Sequence, residues 1–174
     1  REENRGIELK GKTIGIVGFG NTGSSFAKKL TAMECTILVY DKYKSGYGDE
    51  LIQECQMQEI FDSADIVSFH VPLTEETTNL FSIDYLNNFK KPIYLINTSR
   101  GQLTTLSALT HGLKSGKLQG CCLDVLPLEN FNFELGDNTL TDEDLTYILN
   151  SENVLLSPHV AGWTRESYEA LSNV

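Results

Sequence analysis

An α/β fold, a doubly wound parallel sheet with helices on both faces, is what this sequence predicts, and three features carry the prediction. Short apolar runs of strand length alternate with segments of helical spacing along its 174 residues, the pattern of parallel strands joined by crossover helices. The first such run, residues 12–17, leads directly into Gly18-Phe19-Gly20-Asn21-Thr22-Gly23. A second run, residues 36–40, ends at Asp41, eighteen residues past Gly23. Strand, glycine turn, helix, strand and acid in this order form the fingerprint of a dinucleotide site, and so of a Rossmann-type sheet.

Each element has its own reason. Gly18 allows the tight turn, Gly20 lets the backbone approach a pyrophosphate, and Gly23 lets helix and strand pack closely. The helix over residues 22–33 places Phe26, Leu30 and Met33 on one face, and the free N–H groups at its start face the anion. Asp41 can accept hydrogen bonds from a ribose diol and would repel a 2′-phosphate, which predicts NAD over NADP. Lys42 and Lys44 beside it are cations able to screen that carboxylate. Residues 42–48 are polar and turn-rich, and residues 50–63 mix a connector with a short helix. A buried strand over 66–69 precedes a loop with Pro72, Thr74, Thr77 and Thr78. A short helix over 82–88, a strand over 93–97 and a helix over 105–115 follow, with His111 on the surface of the last. Residues 121–125 read as a strand burying Cys121 and Cys122 as reduced thiols. Residues 141–150 read as a helix capped by Thr141, 154–156 as a strand, and Arg165 opens a final helix.

Composition narrows the function. The length suits one domain that buries about 70% of the surface its unfolded chain exposes. A net charge of −10 argues against nucleic acid and anionic membrane surfaces as partners. No apolar run in the sequence is long enough for a membrane span, and no signal peptide is visible in it. Four cysteines without metal-ligand spacing predict no metal site and fit the cytoplasm. The chain starts at Arg1 in a polar segment and stops inside its last helix, so residues 1–174 are expected to be one domain of a longer protein.

Ligands of parallel sheets collect beyond the carboxyl ends of the strands. Four polar residues fall there: His70, Arg100, Asp124 and His159. Hydride transfer to or from a 2-hydroxy acid needs a cation to hold the carboxylate and polarise the carbonyl, which an arginine fork does bidentately. It also needs a group with a pKa near 7 to move the hydroxyl proton, hence a histidine. That histidine needs a carboxylate to fix its tautomer and stabilise its charged form.

At these residues the sequence resembles a known family. Leu95-Ile96-Asn97-Thr98-Ser99-Arg100-Gly101, Gly120-Cys121-Cys122-Leu123-Asp124-Val125 and Leu156-Ser157-Pro158-His159-Val160-Ala161-Gly162 stand in the order seen in D-isomer-specific 2-hydroxyacid dehydrogenases. So does Val71-Pro72-Leu73-Thr74-Glu75-Glu76-Thr77. The chain is similar to that family's NAD-binding domain, most of all in its 3-phosphoglycerate dehydrogenase branch. The resemblance implies Arg100 as the substrate-holding cation, His159 as acid/base and Glu129 as the carboxylate that orients it. It implies Asp124 at the nicotinamide carboxamide and Asn21 and Thr22 at the pyrophosphate. Asp41 would meet the adenosine ribose, Val71 and Pro72 the adenosine side, and Thr98 and Ser99 the nicotinamide pocket, with Arg100, His159 and Gly162 also among the cofactor-binding residues. NAD is the implied cofactor, a small 2-hydroxy or 2-oxo acid the partner, and a homodimer the full-length assembly.

Each assignment has a plainer rival: Arg100 as a strand-end residue, His159 as a surface turn histidine and Glu129 as a solvated acid; His70, which also follows a strand, reads as a polar lining residue. Departures from the family pattern also matter. Asn21 and Thr22 replace a basic and a β-branched apolar residue, Asn130 stands where a proline usually follows the orienting glutamate, and the connection from Glu129 to His159 is long. A reductase of glyoxylate or hydroxypyruvate and a D-lactate dehydrogenase are alternative activities. NAD-sensing corepressors of the C-terminal-binding type share most of these motifs and are the rival of a different class.

Overall fold

The structure, a computed structural model, describes residues 6–128 and 142–172. Among these, seven strands form one sheet: β1 (Thr13–Val17), β2 (Thr36–Tyr40), β3 (Ile52–Glu54), β4 (Ile66–Phe69), β5 (Ile93–Asn97), β6 (Leu118–Leu123) and β7 (Val154–Leu156). All neighbours are parallel, in the order β3-β2-β1-β4-β5-β6-β7. The chain reverses its direction of travel across the sheet between β1 and β4, and ligands of such sheets bind at that switch point. Six helices connect or follow the strands: α1 (Asn21–Leu30), α2 (Met57–Ser63), α3 (Ile83–Asn87), α4 (Leu106–Ser115), α5 (Glu143–Asn150) and α6 (Arg165–Ser172).

Residue alternation sorts the two faces, because successive strand side chains point opposite ways. On β1, Ile14 and Ile16 join Ile37, Val39, Ile66, Ala27 and Leu30 in the core under α1. Val17 belongs to the other, larger core, with Ile60, Phe69, Leu86, Leu95, Leu109 and Ile148 from α2 through α5. The helices therefore lie on both sides of the sheet, as expected.

Several details differ from the sequence reading. The buried stripe of α1 is Gly23, Ala27 and Leu30, while Met33 is 49% exposed. The helix tightens into a 3₁₀ turn at Thr31–Met33 and ends at Glu34 with φ +53°, which swings Met33 off the stripe. Within residues 50–63 lies a strand, β3, three residues long and paired only with β2. β6 begins at Leu118 and stops at Leu123, so Asp124 falls just past its end. Cys121 is buried, but Cys122 is exposed. Cys122 lies level with Ile96 and the 68%-exposed Leu155, on the α1 side but beyond the strands that α1 covers. The cap of α5 is Asp142, whose carboxylate accepts the Leu145 N–H at 3.0 Å, one residue later than Thr141. His111 is exposed, and all four cysteines are free thiols. Among the described residues no helix is long and apolar enough to cross a membrane, and no cluster of His, Cys, Asp or Glu could hold a metal.

Candidate active site

The glycine turn sits at the carboxyl end of β1. Gly18 has φ +100°, and a Cβ there would stand 2.6 Å from the His70 carbonyl oxygen. A Cβ at Gly23 would stand 2.1 Å from the Gly18 carbonyl oxygen, so the turn and α1 close only around two glycines. Gly20 is the N-cap of α1 and contributes no side-chain cap, and the first helical turn contains no acid. Nothing lies within 4 Å of the position a Gly20 Cβ would take. The exposed Asn21 and Thr22 thus begin a helix whose positive end faces open space, the setting an anion such as a pyrophosphate requires.

Asp41 is tied into this turn. Its Oδ2 accepts the Phe19 N–H at 2.7 Å, and its Oδ1 accepts the Tyr43 and Lys44 N–H groups at 2.9 and 3.0 Å. Burial pushes the Asp41 carboxyl up, but these N–H groups and the Lys44 charge outweigh it and hold the group below the usual carboxylate range. It is an anion fixed at the end of β2, where a ribose diol would need its acceptors.

Two cavities flank the switch point and share His70, Val71 and Pro72. The smaller, about 460 Å³, brings together Gly18, Gly20, Asp41, Val71 and Pro72. The larger, about 700 Å³, brings together Thr22, Thr98, Ser99, Arg100 and Gly162. Asn21, Gly23, Asp124 and His159 border neither, and Glu129 lies outside the described residues.

The Arg100 turn is built from within. Asn97, fully buried at the end of β5, donates from Nδ2 to the Arg100 carbonyl at 3.0 Å and accepts the Ser99 N–H at 3.1 Å. Ser99 Oγ donates to the Phe69 carbonyl at 2.7 Å, tying the turn to β4. The Arg100 side chain is exposed, with Nη1 donating to the Ser99 carbonyl at 2.7 Å.

Asp124 organises the facing turn. It is 3% exposed and accepts from Ser157 Oγ at 2.6 Å, the Val160 N–H at 2.9 Å and the Ala161 N–H at 2.9 Å. Burial opposes its ionisation, but these three bonds and the nearby His159 charge hold its pKa below the ordinary value. Between the anchored residues, His159 takes φ +52°, a left-handed conformation costly for a non-glycine residue. His70, beside the glycine turn, shares a 2.9 Å hydrogen bond between Nε2 and Ser68 Oγ, and its ring lies 5.2 Å from that of Phe26. Burial pushes its pKa down to about 4, which keeps it neutral at ordinary pH.

Three roles were not assigned from sequence: the Asn97 anchor, the Asp124 grip on the His159 turn, and Lys29 on the wall of the larger cavity. Asn97 directly before the loop was a readable turn signal. The other two depend on contacts between distant segments.

The profile of the family described as "D-isomer specific 2-hydroxyacid dehydrogenase, NAD binding domain" matches residues 1–161. The chain belongs to this family. It is 37% identical over 172 residues to a glyoxylate reductase of Thermofilum pendens, covering 97% of this chain and 48% of that protein. It is 33% identical over 163 residues to a D-3-phosphoglycerate dehydrogenase of Haemophilus influenzae, covering 93% of this chain and 38% of that one. Among solved structures, the NAD-complexed D-isomer specific 2-hydroxyacid dehydrogenase of Lactobacillus delbrueckii ssp. bulgaricus superposes with a TM-score of 0.85. That match has 31% identity and covers 96% of this chain and 53% of the other. The chain spans about half the length of the curated relatives it matches. NAD is thus the cofactor of this domain's family, and the turn from Gly18 to Gly23, with its open helix end, unfilled Gly20 cradle and Asp41 fixed beside it, has the shape and charge to suit it.

Proposed function

We propose that this domain serves an NAD-dependent dehydrogenase that interconverts a D-2-hydroxy acid and its 2-oxo acid, with 3-phosphoglycerate as the first candidate substrate. The observation that carries the reading is the larger cavity. Arg100 stands there with Thr98 and Ser99 on one side and Ala161 and Gly162, from the His159 turn, on the other. NAD, when bound, supplies the hydride acceptor or donor. Arg100 offers the planar two-donor fork that holds a carboxylate and polarises the adjacent carbonyl. His159 is the proton donor in reduction and acceptor in oxidation, and its strained φ, held by Asp124, supports a role beyond packing. Glu129 is the proposed partner that raises the histidine pKa. Asp124 remains the proposed contact of the nicotinamide carboxamide, in addition to its grip on the turn.

Lys29 supports a phosphorylated substrate. It lines the same cavity as Arg100, and no acid lines it among the described residues, so the cavity carries two cations for a ligand with two anionic groups, a carboxylate and a phosphate. With 3-phosphoglycerate the reaction belongs to serine biosynthesis. A homodimer of the longer protein, with a second domain closing the cleft, and residence in the cytoplasm complete the reading. The exposed Leu155 supports the homodimer, and the free thiols support the cytoplasm. A turnover screen of the full-length protein against D-3-phosphoglycerate, D-glycerate, D-lactate and glyoxylate tests the proposal. The expected result is the highest kcat/KM on 3-phosphoglycerate. Preference for glyoxylate or lactate would move the substrate to those of other family members, and no turnover on any of them would refute the enzyme reading.

A further inference from the structure

The mouth of the smaller cavity holds charges that neither the glycine fingerprint nor Asp41 accounts for. Lys42 follows Asp41 directly, and a cation at this place is the ordinary means of accepting the 2′-phosphate of NADP. The structure shows this cation engaged. Lys42 Nζ lies 2.7 Å from Glu76 Oε2, and the Tyr43 hydroxyl donates to the same oxygen at 2.6 Å. Lys42, Tyr43 and Glu76 all line the cavity that Asp41 lines. The second nearby cation is also occupied, because Lys44 Nζ donates to the Phe19 carbonyl at 2.9 Å.

Glu76 is presented on a braced turn. Thr77 Oγ1 accepts the Thr74 N–H at 2.8 Å and donates to the Pro72 carbonyl at 2.7 Å, while Thr78 Oγ1 donates to the Thr74 carbonyl at 2.7 Å. The turn that carries Glu76 is therefore held in place, and its carboxylate lines the same cavity as Asp41. Both partners of the Lys42–Glu76 pair are about half exposed, and exposed pairs contribute little to stability. Its significance lies in its position. A 2′-phosphate arriving beside Asp41 meets a second carboxylate and finds Lys42 already neutralised.

We infer that Glu76 is a second determinant of cofactor choice, excluding NADP by sequestering Lys42 and adding negative charge where a 2′-phosphate would bind. The inference rests on the cofactor ribose lying at Asp41. It also separates the two lysines that the sequence leaves ambiguous: the Lys42 charge is paired with Glu76, while Lys44 donates to the Phe19 carbonyl and its charge helps keep Asp41 ionised.

The test is titration of NADH and NADPH, at one low ionic strength, into the unaltered full-length chain, Glu76→Gln, Lys42→Ala and the double variant. The Kd ratio of NADPH to NADH is the readout. In Glu76→Gln the freed Lys42 should lower this ratio about fivefold to tenfold, an effect that shrinks as salt is raised. In the Lys42→Ala background the same change should shift the ratio by no more than about twofold. A ratio unmoved by Glu76→Gln, equal weakening of both cofactors, or a full gain persisting without Lys42 would overturn the proposal. Absence of NADH binding by the unaltered protein would overturn the cofactor site itself, and this inference with it.

Discussion

Replacing Asp124 by asparagine isolates the grip on the His159 turn, because the side chain keeps its shape and loses its charge and one acceptor. The carboxylate accepts three hydrogen bonds, two on Oδ1 from Ser157 and Val160 and one on Oδ2 from Ala161. A bond to a charged acceptor contributes about 1.5–3 kcal/mol, against about 1 kcal/mol for a neutral one. With asparagine, the two Oδ1 bonds survive as neutral bonds, each weaker by roughly 1 kcal/mol, and an amide N–H confronts the Ala161 N–H, so the third bond is lost. Val160 and Ala161 are exposed, so water replaces part of that loss, and the expected cost is about 2–3 kcal/mol. In a domain of this size that lowers Tm by about 5–10 °C. The sign with pH follows from the depressed native pKa of Asp124. Below its unfolded value of about 3.9 the unfolded chain binds the proton first, so the contribution is complete above that pH and is lost as pH falls through the native pKa. Urea unfolding of both proteins at neutral pH, and again near the low end of that window, measures it. A loss under about 0.5 kcal/mol at neutral pH, or a difference that persists undiminished in acid, would show that Asp124 does not hold the turn by its charge.

His159→Gln in the full-length protein should lower turnover by about 10²–10⁴-fold with little change in NADH affinity; near-normal turnover would remove His159 from the chemistry. Arg100→Lys should raise KM and lower kcat together, because an ammonium cannot reproduce the planar fork, and unchanged kinetics on a 2-oxo acid would assign carboxylate binding to another cation. His70, whose pKa falls from 6.5 to about 4 on burial, makes the unfolded chain the better proton binder across that interval. Its contribution to stability is therefore present above 6.5 and lost as pH falls toward 4. His70→Gln should flatten the stability–pH curve there, and an unaltered slope would mean that the ring titrates normally.

The parts of the fold legible in the sequence are those set by local patterning. The β1 turn, Asp41 and the strands at residues 36–40, 66–69, 93–97 and 154–156 stand where the apolar runs and glycines place them. What escaped depends on neighbours distant in sequence. β3 is three residues long, two of them Gln53 and Glu54, and is a strand because β2 offers a free edge. Cys122 sits in a run that reads as buried, yet its exposure is decided by how far α1 reaches across the sheet. At the site, residue types and order named Arg100, Asp41 and Gly162, and the structure brings them to the two cavities. The tripartite grip of Asp124 was not readable, because its partners lie 33 to 37 positions away.

The two halves of the proposed site are fixed by different means, and this constrains how Arg100 and His159 would meet one substrate under that proposal. The cofactor half is shaped by backbone: a glycine turn, an uncapped helix start and a carboxylate tied to main-chain N–H groups. The proposed substrate half depends on two turns, each hung on one buried polar side chain at a strand end, Asn97 as the last residue of β5 and Asp124 directly after β6. Those anchors are joined, since the Asp124 N–H donates to the Asn97 carbonyl at 3.0 Å. That one rung at the sheet's end therefore links the turn that carries Arg100 to the turn that carries His159. Asn97→Ala and Asp124→Asn should accordingly not be independent. A double-mutant cycle on stability is expected to show a coupling of about 0.5–3 kcal/mol, where separate anchors would add to within about 0.5 kcal/mol. Strict additivity would mean that each turn is held on its own and that the rung carries no information between them.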